Sequence, residues 1–146
     1  MNSREQQTVL AFDIGLKRTG VASGQTLTHS AHPAGQLSVK NGRFEWPELD
    51  DVLHKWRPQL IVIGDPKTND PHLNKAINRF KSYIQQQHKL PIIEISETLS
   101  SVAANTELAD AQLHAGQRRL NHEHKTQLRD QIAACLILES YFNSLN

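Results

Sequence analysis

The chain has 146 residues, 38% of them hydrophobic and 5% aromatic, with a formal net charge of +1, which suits one domain spanning 1–146 around one sizeable core. No apolar run approaches the roughly 20 residues that cross a bilayer, Met1 to Gln7 is polar and lacks the apolar stretch of a secretion signal, and the single cysteine, Cys135, excludes an internal disulfide. These features predict a cytoplasmic protein with no membrane contact, and the small net charge leaves any phosphate binding to local groups.

The first predicted strand runs from about Thr8 to Ile14, with Val9, Leu10, Ala11 and Phe12 reading as buried on both faces. Asp13 ends it. An unpaired charge costs several kcal/mol to bury, so this position asks for a bound cation or a proton. Gly15 and Gly20 suit a tight turn into a second strand at about Gly20 to Gln25, where a phosphate can approach backbone. A third, irregular strand is expected at about Ala34 to Val39, then a turn at Asn41-Gly42.

Pro47 opens a helix to about Trp56, whose Leu49, Val52, Leu53 and Trp56 recur at helical spacing. Gln59 to Gly64 is a buried strand, and Asp65 to Asp70 a polar loop. A helix of about Pro71 to Gln87 carries Leu73, Ile77, Phe80 and Ile84 on one side. Leu90 to Ser96 is a further strand, with Glu97 at its carboxyl end. A helix of about Leu99 to His114, a loop with Arg118 and Arg119, and a last helix from about Lys125 to Leu145 complete the chain. Cys135 falls in an apolar stretch of that helix and reads as a buried, inert thiol. Three leading strands before the alternation predict a mixed sheet flanked by α-helices.

Functional groups in α/β sheets collect beyond the carboxyl ends of parallel strands. Asp13 and Glu97 occupy two such ends. Asp130 shares a helical face with Ala133, Ala134, Ile137 and Tyr141, so it is expected to face the sheet. Each acid also has a plain structural reading: a turn cap for Asp13, a helix-start acid for Glu97, and a complement to the helix dipole for Asp130. Converging carboxylates repel unless a cation lies between them. Mg²⁺ or Mn²⁺, one or two ions, is the natural partner, because hard ions take oxygen ligands and keep waters for substrate phosphates.

These residues carry a family resemblance over about Val9 to Phe142. AFDIGLKRTGVA resembles the opening Asp-x-Gly-x-Lys-Arg-x-Gly-Val-Ala motif of the YqgF/RuvX family, Holliday junction resolvase-like members of the ribonuclease H-like superfamily. VIGDP, SETLSS and RDQIAACLILESYF resemble that family's later motifs. The resemblance implies a ribonuclease H-like α/β fold with a mixed five-stranded sheet. It implies metal and catalytic roles for Asp13, Glu97 and Asp130. It further implies nuclease activity on structured RNA or branched DNA, with processing of the 5′ end of pre-16S rRNA in pre-ribosomal particles or resolution of Holliday junctions as the task. Lys17 and Arg18 are expected to grip phosphate beside Asp13, with Arg118, Arg119 and Lys125 contacting backbone further out. The expected state is a monomer or weak homodimer.

The chain departs from the family pattern at several positions. Ser96 and Thr98 stand where the family has Asp and Arg, Asp65 replaces an apolar residue, Asp70-Pro71 replaces Asp-Gly, and Gln131 replaces a small Ser. Thr cannot replace the planar, permanently charged donor of Arg. A catalytically weakened nucleic-acid-binding or ribosome-assembly module is therefore the alternative reading. An actin-like or sugar-kinase-like ATPase also uses Asp-x-Gly, but those proteins place two such domains around the nucleotide.

Overall fold

A computed structural model describes residues 6–96 and 122–145. The predicted helix at about Leu99 to His114 lies outside the described residues. The strands are β1 (Thr8–Ile14), β2 (Arg18–Gln25), β3 (Ser30–Lys40), β4 (Arg43–Phe44), β5 (Leu60–Asp65) and β6 (Ile92–Ser96). They form a six-stranded sheet in the order β4-β3-β2-β1-β5-β6. Pairing is antiparallel from β4 to β1 and parallel from β1 through β5 to β6. The helices are α1 (Trp46–Trp56), α2 (Pro71–Tyr83) and α3 (His122–Ser144).

The mixed sheet matches the expectation, but it has six strands where five were expected. The extra one is β4, two residues that fold back on Val39 and Lys40 across the Asn41-Gly42 turn. Gly42 takes a positive φ of 77° there, and Asn41 one of 53°, the left-handed values that such turns require. No hydrophobic alternation can announce a strand of two residues. Strand β3 also starts earlier than expected, at Ser30, because its exposed first half is paired to β2 and a bulge absorbs Ala34 opposite Val21 and Ala22.

Period-2 alternation splits the core between the two faces of the sheet. Leu10, Phe12, Ile14 and Val21, with Ile61 and Ile63, pack against α1 and α2, where Phe12 meets Phe80 at 4.8 Å between ring centroids. Val9, Ala11, Ala22, Leu60 and Val62 pack against Ala134, Ile137, Leu138, Tyr141 and Phe142 of α3. Asp13 and Arg18 have the parity of the second set, so the fold aims both at α3.

Helix α2 is capped by Asp70, whose Oδ1 accepts the His72 N–H at 2.9 Å, with Pro71 in the first turn. The Asp-Pro pair thus starts a helix well. Beyond Tyr83 the helix widens into a π-turn over Ile84–His88, ended by Lys89 at a positive φ of 54°. Helix α3 begins at His122, so Asp130 lies more than two turns in. The dipole reading of Asp130 falls with that, because the dipole acts within the first turn. No helix among the described residues is long and apolar enough to cross a membrane.

Candidate functional site

The site is assembled around Gly20. In the β1–β2 ladder Asp13 stands opposite Gly20. A Cβ on Gly20 would fall 2.0 Å from the carbonyl oxygen of Asp130 and 3.0 Å from the Gln131 nitrogen. The backbone of α3 therefore rests directly on β2, and only glycine permits it. This corrects the sequence reading: Gly20 lies inside a strand, and what approaches it is a helix. Gly15 does serve the turn, since a Cβ there would meet the Arg18 carbonyl oxygen at 2.7 Å.

Asp13, Gly15, Leu16, Lys17, Arg18, Leu73 and Asp130 line one open cleft of about 370 Å³ at the carboxyl end of β1. Both carboxylates are half-buried and Lys17 is exposed. Arg18 Nε donates to Asp130 Oδ2 in an ion pair, with the two side chains 39% and 22% exposed. Burial raises the Asp130 pKa above the ordinary carboxylate value, and the opposing pull of Arg18 does not overcome it.

The helix is anchored beside this acid. Gln131 Oε1 accepts the backbone N–H of Gly35 at 3.3 Å, at the β3 bulge where Gly35 has a φ of 119°. The Gln that replaces the family's small Ser thus ties α3 to the sheet one residue from Asp130. Asp65, the other unusual acid, ends β5 and is matched locally. It accepts the Lys67 N–H at 3.0 Å and pairs with Lys67 Nζ at 3.2 Å, and the backbone bond leads in lowering its pKa.

Of the residues singled out from sequence, the structure brings Asp13, Asp130, Lys17 and Arg18 to one cleft. Lys125 is half-buried in α3 and does not line it. Glu97, Thr98, Arg118 and Arg119 lie outside the described residues. Ser96 is the exposed end of β6, paired with Asp65. Cys135 is buried beside β-sheet residues, its thiol pushed up to about 12 by burial first and Glu139 second, as an inert thiol should be. Sequence reading missed Leu16 and Leu73, the apolar walls of the cleft. Leu73 was legible only as part of the inner face of α2.

The mixed sheet and the helices on its two faces define the class: a ribonuclease H-like fold. Fowlpox virus Holliday junction resolvase superposes with a TM-score of 0.59 at 15% identity, covering 95% of this chain and 99% of that one. RuvC of T. thermophilus, solved with a Holliday junction substrate, gives 0.57 at 12% identity and 95% of each chain. Residues 7–144 match the RuvX family, described as Holliday junction resolvase, and the chain belongs to that family. A Legionella pneumophila (strain Lens) protein named "Putative pre-16S rRNA nuclease" is 36% identical over 135 residues, 90% of this chain and 92% of its own length. One of the same name from Thiobacillus denitrificans is 34% identical over 140 residues, 94% and 92% respectively.

Proposed function

We propose that this protein is a metal-dependent nuclease for structured nucleic acid, acting in the cytoplasm on the 5′ end of pre-16S rRNA. The observation that carries this is the pair of carboxylates, Asp13 and Asp130, on one cleft with Lys17 and Arg18, in a chain of the RuvX family. The relatives' shared name supports the RNA substrate. The resolvase superpositions support the fold on which such chemistry is built.

The donor set fits a hard cation. Both groups are oxygen ligands, and Mg²⁺ is commonly held by one or two carboxylates together with substrate phosphates. Among the described residues no group of three His, Cys, Asp or Glu side chains is placed to hold a metal. Asp13 and Asp130 would hold Mg²⁺ or Mn²⁺, with Glu97 proposed as the third ligand. Bound there, the ion would supply Lewis-acid activation for phosphodiester hydrolysis.

The chain's own groups do the rest. Lys17, exposed on the rim, binds a substrate phosphate as a point charge. Arg18 neutralises Asp130 in the free protein and turns to a phosphate when one enters, since its guanidinium suits either oxyanion. Leu16 and Leu73 wall the cleft and limit water at the scissile bond. Gly20 and Gln131 hold Asp130 in position by backbone contact and a hydrogen bond.

The Arg18–Asp130 pair also favours a second reading, a binding or assembly module in which the arginine takes the place of a cation. One assay separates them: cleavage of a pre-16S 5′ RNA and of a four-way DNA junction with Mn²⁺, Mg²⁺ or chelator. Asp13→Asn should lose about a hundredfold or more, the scale on which one catalytic charge is felt, and should keep binding. No divalent-dependent cleavage by the wild type, with binding intact, would establish the module instead.

A further inference from the structure

A second concavity lies along the outer side of α2. It is about 550 Å³ and is lined by Lys75, Asn78, Arg79, Ser82 and Gln86, with Trp46 and Tyr83 as its wall. The polar residues recur at three- and four-residue steps, so they form one stripe along the helix. No acid occurs between Asp70 and Glu94, while Lys75, Arg79, Lys81 and Lys89 do. Lys81 is taken by Glu94 at 3.3 Å. Asp50 is taken by Tyr83 Oη at 2.8 Å and His88 Nε2 at 2.8 Å, so it offers the groove no free negative charge. Lys75, Asn78, Ser82 and Gln86 make no side-chain hydrogen bond or ion pair among the described residues, and all four are exposed.

The groove adjoins the acidic cleft. Leu73 of the cleft and Lys75 of the groove both lie in the first turns of α2, on different sides of the helix. Gly42 joins them from the other side: its carbonyl accepts Arg79 Nη1 at 3.2 Å, and a Cβ on it would stand 3.5 Å from Leu16 Cδ2. One turn of chain thus touches the wall of the cleft and the cation of the groove.

We propose that a single strand of RNA continuing from the bound duplex leaves the cleft past Leu16 and Gly42 and runs along this stripe of α2. The proposal rests on the nuclease reading and names the form of its substrate: a structured RNA with a single-stranded extension. Lys75 and Arg79 take phosphates, which position the strand without reading sequence. Asn78, Ser82 and Gln86 offer hydrogen-bond partners to ribose 2′-hydroxyls, the groups that distinguish RNA from DNA. The contact is to backbone, because Trp46 is already stacked with Tyr83 at 4.0 Å and with Phe44 at 5.3 Å. The aromatic wall therefore borders the strand without intercalating a base.

The test compares a fluorescent stem-loop RNA with and without a short single-stranded extension, by anisotropy at two salt concentrations. The quantity read is the gain in affinity that the extension confers. Wild type should show a gain of about tenfold that shrinks with salt. Lys75→Gln should lose most of it and lower the salt slope by about 1. Ser82→Glu, which adds repulsion at an exposed site, should abolish it, with melting curves confirming that both variants fold. Equal affinity of wild type for the two RNAs would overturn the proposal, as would a gain that both variants retain. A DNA extension giving the same gain would overturn the assignment of the strand as RNA. The nuclease reading fails separately, by absence of metal-dependent cleavage, and the extension effect is measured without cleavage.

Discussion

Two partly buried acids, one on each face of the sheet, are treated in opposite ways. Asp50, on α1, has its side chain 33% exposed and Asp130, on α3, 22%. Burial works against the charge of both. At Asp50 the hydrogen bonds from His88 and Tyr83 outweigh that penalty, and the pKa is lowered. At Asp130 one arginine is the side-chain partner among the described residues and the penalty prevails, so the pKa is raised. An acid that serves the fold is given enough donors to be content as an anion. An acid kept under-supplied, in a cleft with a second carboxylate, is suited to a ligand that arrives later.

The packing around them follows the same division. The α1–α2 face is filled with bulk: Phe12, Phe44, Phe80, Leu49 and Ile84. The α3 face has its own bulk in Leu60, Leu138 and Phe142, but it also carries Ala11, Ala22 and Ala134, and at Gly20 the helix backbone comes down on the strand. Close approach fixes Asp130 more firmly than side-chain packing could, because a backbone contact has no rotamers to relax.

The largest effect should come from breaking that approach. Gly20→Ala forces a methyl group into the Asp130 carbonyl, 2.0 Å away. We expect a loss of about 1–3 kcal/mol of stability, seen as a lower Tm, together with loss of metal-dependent activity as Asp130 is displaced. An unchanged Tm and full activity would show that α3 is not held by this contact.

Asp50→Asn sharpens the comparison on the other face. A carboxylate with a lowered folded pKa contributes stability that is present above its unfolded value and lost as pH falls through the folded value. The wild type should therefore lose stability on acidification below about pH 4, and Asp50→Asn should lower the Tm at neutral pH while flattening that acid limb. Parallel pH curves for the two proteins would refute the assignment.

Asp130→Asn should do the reverse and give the smallest shift. Its folded pKa is raised, so the ionised form is penalised in the folded state at neutral pH, and a neutral Asn of the same shape removes the penalty. A small rise in Tm with loss of metal-dependent cleavage is expected, and a fall in Tm would show that the Arg18 pair holds the helix. Thermal melts at neutral pH with and without Mn²⁺ measure it, since only the wild type should gain from the ion.

The sequence by itself determined most of the elements and their faces, though not the two-residue β4 or the exposed first half of β3. The continuous apolar runs of β1 and β5, the helical spacing in α1 and α2, and the inward face of Asp130 were all legible, because an unbroken run reports a strand covered on both faces and periodicity reports which side of a helix is buried. The opening motif sufficed to place Asp13, Lys17 and Arg18 together, being contiguous in the chain. Only the tertiary structure decided that Arg18 is spent on Asp130, 112 positions away, that Gly20 is a helix seat, and that Gln131 anchors the bulge at Gly35. Only the fold, too, joined Asp50 to Tyr83 and His88 and laid the α2 groove beside the cleft. These are contacts between residues far apart in sequence, and no local pattern encodes the partner of a polar side chain: it is set by which backbones the packed core brings within reach.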